Sequence, residues 1–105
     1  MFFLAEMEVR LPPDMPAERV EELTAREREY SQAAQREGRW PHLWRVAGRY
    51  ANVSVLDVES VDELHELLSG LPLFPYLEIR VTPLARHPNA IDHGPRAGRG
   101  GENRV

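Results

Sequence analysis

The residues best suited to chemistry are concentrated in one short run of this sequence, residues 38–52. Arginine offers a planar fork of donors to a carboxylate, tryptophan and tyrosine exclude water, and histidine titrates near neutral pH. The run therefore predicts a pocket for a small anionic molecule. Its cationic, aromatic and amide side chains are Arg39, Trp40, His42, Trp44, Arg45, Arg49, Tyr50 and Asn52. The alternative is that the aromatic rings belong to the core or to an interface and that the arginines lie on a solvated surface.

A candidate base precedes this run, on a predicted helix. Glu27 lies at the centre of a stripe that recurs at the helical period. The other members of that stripe are Val20, Leu23, Thr24, Tyr30, Ser31 and Ala34. Desolvation on such a face raises the pKa of a carboxyl group unless a cation offsets it, so Glu27 is a candidate general base. The alternative is a structural ion pair with Arg45 or Arg49, or contact with water.

The elements that must position these residues follow from patterning. Apolar and charged residues alternate over residues 3–11, which predicts a strand that ends at two prolines. A helix is expected from about residue 15 to residue 36, with Asp14 as its cap and Gly38 at its end.

The second half of the chain repeats this pattern in shorter elements. Residues 43–58 predict a β-hairpin with Gly48 at the turn. Residues 60–63 form a capping box, which opens a short helix that Gly70 closes. A last strand is expected at about residues 76–82.

The resulting order, strand, helix, strand, strand, helix, strand, predicts an α+β protein with a ferredoxin-like fold and an antiparallel sheet. One sheet face would lack helices, and a second copy could cover it, so a homo-oligomer, a dimer at least, is expected. The domain is expected to span residues 1–91. Residues 92–105, rich in glycine and arginine, are expected to be disordered.

Composition excludes several classes of function. The chain has 105 residues, which fits one domain, and its net charge of −4 argues against nucleic-acid binding. It has no cysteine, and its histidines show no spacing typical of metal ligands, so no metal is expected. No leader or membrane-spanning run is apparent, which predicts a cytoplasmic protein without a membrane partner. No nucleotide-binding motif is present.

Three motifs carry a resemblance to a known family. They are Trp-Pro-His-Leu-Trp-Arg at residues 40–45, Gly-Arg-Tyr-Ala-Asn at 48–52 and Leu-Pro-Leu-Phe-Pro-Tyr at 71–76. In these motifs the chain resembles the muconolactone isomerase family of aromatic catabolism, and the similarity extends from the first strand to residues 86–88. The resemblance implies a dimeric α/β barrel that assembles into decamers.

The resemblance also implies an activity. Members convert (S)-muconolactone to 3-oxoadipate enol-lactone in the β-ketoadipate pathway. The reaction moves a ring double bond and needs no cofactor. Glu27 would be the base and proton shuttle, and His42, Tyr50 and Asn52 would supply donors to the developing oxyanion. The substrate is a lactone that carries a carboxylate, for which the candidate cations are Arg39, Arg45 and Arg49, with Arg45 at the family position. Trp40 and Trp44 would form apolar walls.

Other functions are compatible with the same residues. A chloromuconolactone dehalogenase would use similar proton abstraction and expel chloride. A non-catalytic module that binds small anions on the same barrel would need no base. A cofactor-free monooxygenase would consume oxygen.

Overall fold

The computed structural model describes residues 1–91. Its elements are β1 (Phe2–Val9), α1 (Ala17–Arg36), β2 (His42–Arg45), β3 (Ala51–Asp57), α2 (Val61–Ser69), a 3₁₀ turn (Phe74–Tyr76) and β4 (Leu77–Leu84). The strands form one antiparallel sheet in the order β2-β3-β1-β4. The predicted α+β, ferredoxin-like order is confirmed. The predicted disorder of residues 92–105 lies outside the described residues.

The first helix ends as predicted but begins differently. Its N-cap is Pro16, which makes no side-chain cap hydrogen bond, so the prediction that Asp14 caps the helix is wrong. The extended backbone of Pro16 starts the helix without a side-chain acceptor. At the other end, Gly38 has φ +82°, a conformation that favours glycine, and it turns the chain toward the sheet.

The second helix is capped as predicted. The Ser60 hydroxyl accepts a hydrogen bond from the Glu63 N–H at 3.0 Å, which satisfies a free donor of the first turn. The Tyr30 hydroxyl on α1 donates to the Leu67 carbonyl on α2 at 2.6 Å and joins the two helices. A Cβ at Gly70 would collide with the Tyr30 hydroxyl, so this close approach requires glycine.

The core lies between the two helices and one face of the sheet. Its buried members include Phe3, Ala5, Met7, Ala34, Trp40, Leu56, Leu64, Leu67, Leu68 and Leu71. Ser54 on the same face of β3 is fully buried. We call this side of the sheet the covered face and the opposite side the open face.

The register decides which face each residue of β2 occupies. His42 is opposite Val55 and Trp44 is opposite Val53, whereas Leu43 is opposite the buried Ser54. Directly opposed residues share a face, and neighbours along a strand alternate. His42 and Trp44 therefore lie on the open face, and Leu43 lies on the covered face together with Arg45.

Candidate active site

A cavity of about 470 Å³ lies on the covered face, between α1 and the end of the sheet where β1 ends and β3 begins. Five of the sequence-predicted site residues line it, namely Glu27, Trp40, Arg45, Tyr50 and Asn52. They come from α1, β2 and the start of β3 and from the segments next to them. The fold thus brings the candidate base, two aromatic rings, one arginine and one amide to a single cavity.

Glu27 is the half-buried carboxylate of this cavity. Its Oε1 accepts a hydrogen bond from the backbone N–H of Leu73 at 3.0 Å. Burial raises the pKa of the Glu27 carboxyl above its ordinary value, and the Leu73 hydrogen bond offsets part of that increase. Within residues 1–91, Glu27 forms no salt bridge, so the structural ion pair with Arg45 or Arg49 is not formed.

Leu73 also shows what the third sequence motif does. Residues 71–76 form a turn beside the middle of α1, and hydrogen bonds from Phe74 N–H to the Leu71 carbonyl and from Tyr76 N–H to the Leu73 carbonyl, both 2.8 Å, fix this turn. The turn holds the Leu73 N–H against Glu27. Sequence reasoning missed this backbone donor because no side chain marks it.

The arginines of the run separate into different environments. Arg45 lines the cavity, and its guanidinium lies 5.4 Å from the centre of the Tyr50 ring. Arg39 does not line it and instead forms salt bridges with Glu37 at 2.8 Å and Glu63 at 3.6 Å. Arg49 pairs with Glu8 at 3.2 Å. Because carboxylates already engage Arg39 and Arg49, Arg45 is the arginine of this run that is available to a ligand in the cavity.

Arg28 is a second cation of the cavity that sequence reasoning missed. Neither Arg28 nor Arg45 has a carboxylate partner in the described part of the chain. Thr24 and Ser31, which also line the cavity, lie four residues before and three residues after Arg28. Residues three and four apart share a helix face, so this spacing could have placed Arg28 beside Thr24 and Ser31 in the sequence analysis.

Asn52 is oriented by its neighbour. Its Oδ1 accepts a hydrogen bond from the Ser54 hydroxyl at 2.8 Å, which leaves the amide N–H groups as donors. Tyr50 is tied to β1 through its backbone carbonyl, which accepts from the Val9 N–H at 3.0 Å. Both residues line the cavity, so it contains two neutral donors besides its cations.

The structure does not bring His42 and Trp44 into this cavity. Their rings lie on the open face with centres 6.2 Å apart and planes inclined by 12°. Trp44 is 62% exposed. His42 and Trp44 alternate with Leu43 and Arg45 along β2, so they point to the side of the sheet opposite the cavity.

Two further observations concern metals and membranes. Among residues 1–91, no three or more histidine, aspartate or glutamate side chains converge in a way that could hold a metal ion. Over the same residues, no helix is both long and apolar enough to cross a bilayer.

The fold and the cavity define a ferredoxin-like domain with a secluded carboxylate and cations along one cavity. Residues 1–90 match the family model described as muconolactone delta-isomerase. The chain belongs to this family.

Comparison with individual proteins agrees. The chain is 58% identical over 91 residues to a muconolactone delta-isomerase of Cupriavidus pinatubonensis. The alignment covers 87% of this chain and 99% of that protein. It is 57% identical over 91 residues to muconolactone delta-isomerase 1 of Acinetobacter lwoffii, with 87% and 95% covered. A crystal structure of muconolactone isomerase matches with a TM-score of 0.84 at 53% identity, covering 88% of this chain and 96% of that chain.

Proposed function

We propose that this chain is a cofactor-free isomerase that converts (S)-muconolactone to 3-oxoadipate enol-lactone in the β-ketoadipate pathway. The observation that carries the proposal is the half-buried Glu27, held by the Leu73 N–H in a cavity that also contains Arg45, Tyr50 and Asn52. Relatives that are 57% and 58% identical and bear the name muconolactone delta-isomerase support it. Residues 1–91 are the proposed catalytic domain.

Glu27 is the proposed base and proton shuttle. An ionised carboxylate removes the proton from the ring carbon that bears the carboxymethyl group, and the charge spreads through the enoate to the lactone carbonyl oxygen. The resulting acid returns the proton to the carbon next to that carbonyl, so the double bond moves and no electrons are exchanged with a cofactor. Partial burial suits this task, because it brings the pKa of the carboxyl closer to the working pH.

The two carboxylate oxygens of Glu27 differ in their hydrogen bonds. The Leu73 N–H engages Oε1, and the described residues supply no hydrogen-bond partner for Oε2, which is the proposed proton-transfer atom. Asn52 and Tyr50 are the proposed donors to the developing oxyanion. Donors that are already oriented stabilise such charge without reorganising during the reaction.

Arg45 and Arg28 are the proposed partners of the substrate carboxylate. Both line the cavity and neither has a carboxylate partner within the described residues. The Tyr50 ring beside Arg45 restricts its guanidinium, so less side-chain freedom is lost on binding. Arg39 is proposed to stabilise the turn after α1 through its two carboxylate partners.

The open face is the proposed surface for a second copy of the chain. It carries Trp44 and Phe2, which are 62% and 49% exposed, beside the half-buried Val53 and Val55. The same face carries charged residues at its other end, namely Glu6, Glu8, Glu78 and Arg80. Covering its apolar part favours self-association, and we propose a dimer at least, with assembly to a decamer. His42 is then an interface residue. The proposed location is the cytoplasm, where intermediates of this pathway are formed and consumed.

An assay of the purified protein tests the activity. Absorbance at ultraviolet wavelengths should follow the conversion of (S)-muconolactone without an added cofactor or metal. Parallel reactions with the chlorinated lactone should release chloride more slowly than muconolactone is isomerised. Preferred chloride release would favour the dehalogenase instead, and no turnover of either lactone would favour a binding module.

A further inference from the structure

Ser54 places a hydroxyl group among apolar side chains of the covered face. The residue is fully buried, and the sheet register sets it between Ala5 on β1 and Leu43 on β2. Leu56, two residues further along β3 on the same face, is also fully buried. Because Ser54 has no surface in contact with solvent, the proton of its hydroxyl must be directed at an acceptor within the protein.

That acceptor is the side chain of Asn52. The Ser54 hydroxyl donates to Asn52 Oδ1 at 2.8 Å, and the two residues lie two positions apart on β3, so both are on the covered face. The register places Asn52 opposite Met7 on β1 and Arg45 on β2, and Asn52 lines the cavity. The hydrogen bond therefore joins a buried hydroxyl to a side chain of the candidate active site.

This hydrogen bond fixes which end of the Asn52 amide is turned toward Ser54. An asparagine amide has an acceptor end and a donor end, and a half-turn of the group exchanges them. In the exchanged orientation the Ser54 proton would lose its acceptor, and within residues 1–91 the hydroxyl makes no other hydrogen bond. A buried donor without an acceptor is unfavourable, so Oδ1 stays toward Ser54 and the amide N–H groups remain free to donate to a ligand.

We propose that Ser54 is a positioning residue of the isomerase, whose hydroxyl holds the Asn52 amide with its N–H groups ready for the oxyanion that forms on the bound lactone. This inference rests on the proposed function and extends it to a side chain that does not itself line the cavity. A donor that is oriented before the reaction stabilises developing charge without reorganising. Ser54 does not touch the substrate and acts only through Asn52.

A double-mutant cycle tests this role. Ser54→Ala deletes one oxygen atom and should lower kcat by about 10-fold while KM changes by less than about threefold. Asn52→Ala should lower kcat by about 10²-fold, as expected for the loss of an oxyanion donor. Adding Ser54→Ala to Asn52→Ala should lower kcat by less than about twofold further, because the group that Ser54 orients is already absent. Equal losses in both backgrounds, or an unchanged kcat in Ser54→Ala alone, would overturn the proposal.

Two further variants separate positioning from packing. Ser54→Cys keeps a weak donor at a similar volume, so it should recover part of the kcat that Ser54→Ala loses. Leu56→Val removes one carbon from the buried neighbour on the same face and should leave kcat unchanged, because Leu56 does not line the cavity. Thermal scans keep every assay below the unfolding midpoint of its variant. A loss of kcat in Leu56→Val as large as that in Ser54→Ala would assign the effect to packing and overturn the proposal.

Nitrogen-15 NMR of the Asn52 side-chain amide provides a test that does not depend on turnover. Its signals are assigned by their loss in Asn52→Ala, and the amide of Asn89, which does not line the cavity, is the internal reference. The probe is the saturated γ-lactone that carries a carboxymethyl group, which has the carbonyl and the carboxylate but no double bond to move. On saturation, an Asn52 N–H proton should shift downfield, and Ser54→Ala should reduce that shift by about half or more. The same shift in both proteins would refute the inference.

The outcomes separate this inference from the proposed function. An active protein in which Ser54→Ala changes neither kcat nor the Asn52 shift overturns only the role of Ser54. An inactive protein overturns the proposed function, and the NMR titration then still reports whether Ser54 orients the Asn52 amide toward a bound lactone.

Discussion

Neighbouring side chains of the short strand β2 lie on opposite faces of the sheet, in different surroundings. Arg45 on the covered face lines the cavity of Glu27, whereas Trp44, one residue earlier, is exposed on the open face. Strand alternation is enough to separate them. A run of residues that looks like one site in the sequence thus supplies two surfaces, the cavity where we propose the chemistry and the open face where we propose association.

Replacing the base on the covered face should have the largest effect. Glu27→Gln keeps the shape of the side chain, and its amide oxygen can still accept from the Leu73 N–H, but the carboxylate is lost. Isomerase turnover should fall by about 10²- to 10⁴-fold, the range expected for a general base. The matched control is Glu29→Gln, an exposed glutamate on the same helix, which should retain activity. Near-normal turnover of Glu27→Gln would show that the covered face does not carry the chemistry.

A charge on the open face should affect association most. Val55 lies opposite His42 and beside Leu4 in the sheet, so Val55→Glu would bury an unpaired carboxylate if two copies meet there. The association constant should fall by about 10²-fold or more, measured by sedimentation equilibrium. Unchanged self-association would place the interface elsewhere, and the open face would then not be the association surface.

Removing the cavity arginine should weaken substrate binding. Arg45→Ala deletes a cation without a carboxylate partner in residues 1–91, and KM should rise by about 10- to 100-fold, the worth of one charge-assisted pair. Arg26→Ala, on an exposed part of α1 that does not line the cavity, is the control. Equal KM values for the two variants would mean that Arg45 does not bind the carboxylate.

The smallest expected effect is on stability. The pKa of Glu27 is raised in the folded protein, so its favourable contribution is present below the unfolded pKa and is lost as the pH rises through the folded pKa. Glutamine has no such dependence. At pH 8, Glu27→Gln should therefore unfold at the same temperature as the unmodified protein or up to about 4 °C higher in a thermal scan. A markedly lower midpoint would show that the carboxylate is structural.

The sequence was sufficient for the order of elements and for placing Glu27, the proposed base, on the helix face that meets the cavity. The helical period placed Glu27 among apolar neighbours, and the capping box at Ser60 located α2. It was not sufficient for the grouping of the site, because the side that His42 occupies depends on a register that only the paired strand defines. The Leu73 N–H was missed because any residue type provides a backbone donor. Asp14 has the right residue type for a cap but lies too far before the helix start.

Titration of the Glu27 carboxyl tests the central claim most directly. Carbon-13 NMR of the labelled side-chain carboxyl, assigned by its loss in Glu27→Gln, gives the pKa in the free protein. The value should lie above the ordinary value of about 4.3 and should coincide with the pH below which kcat/KM falls tenfold per unit. A pKa at or below the ordinary value, or a kcat/KM profile that does not follow it, would contradict the assignment of Glu27 as a secluded base.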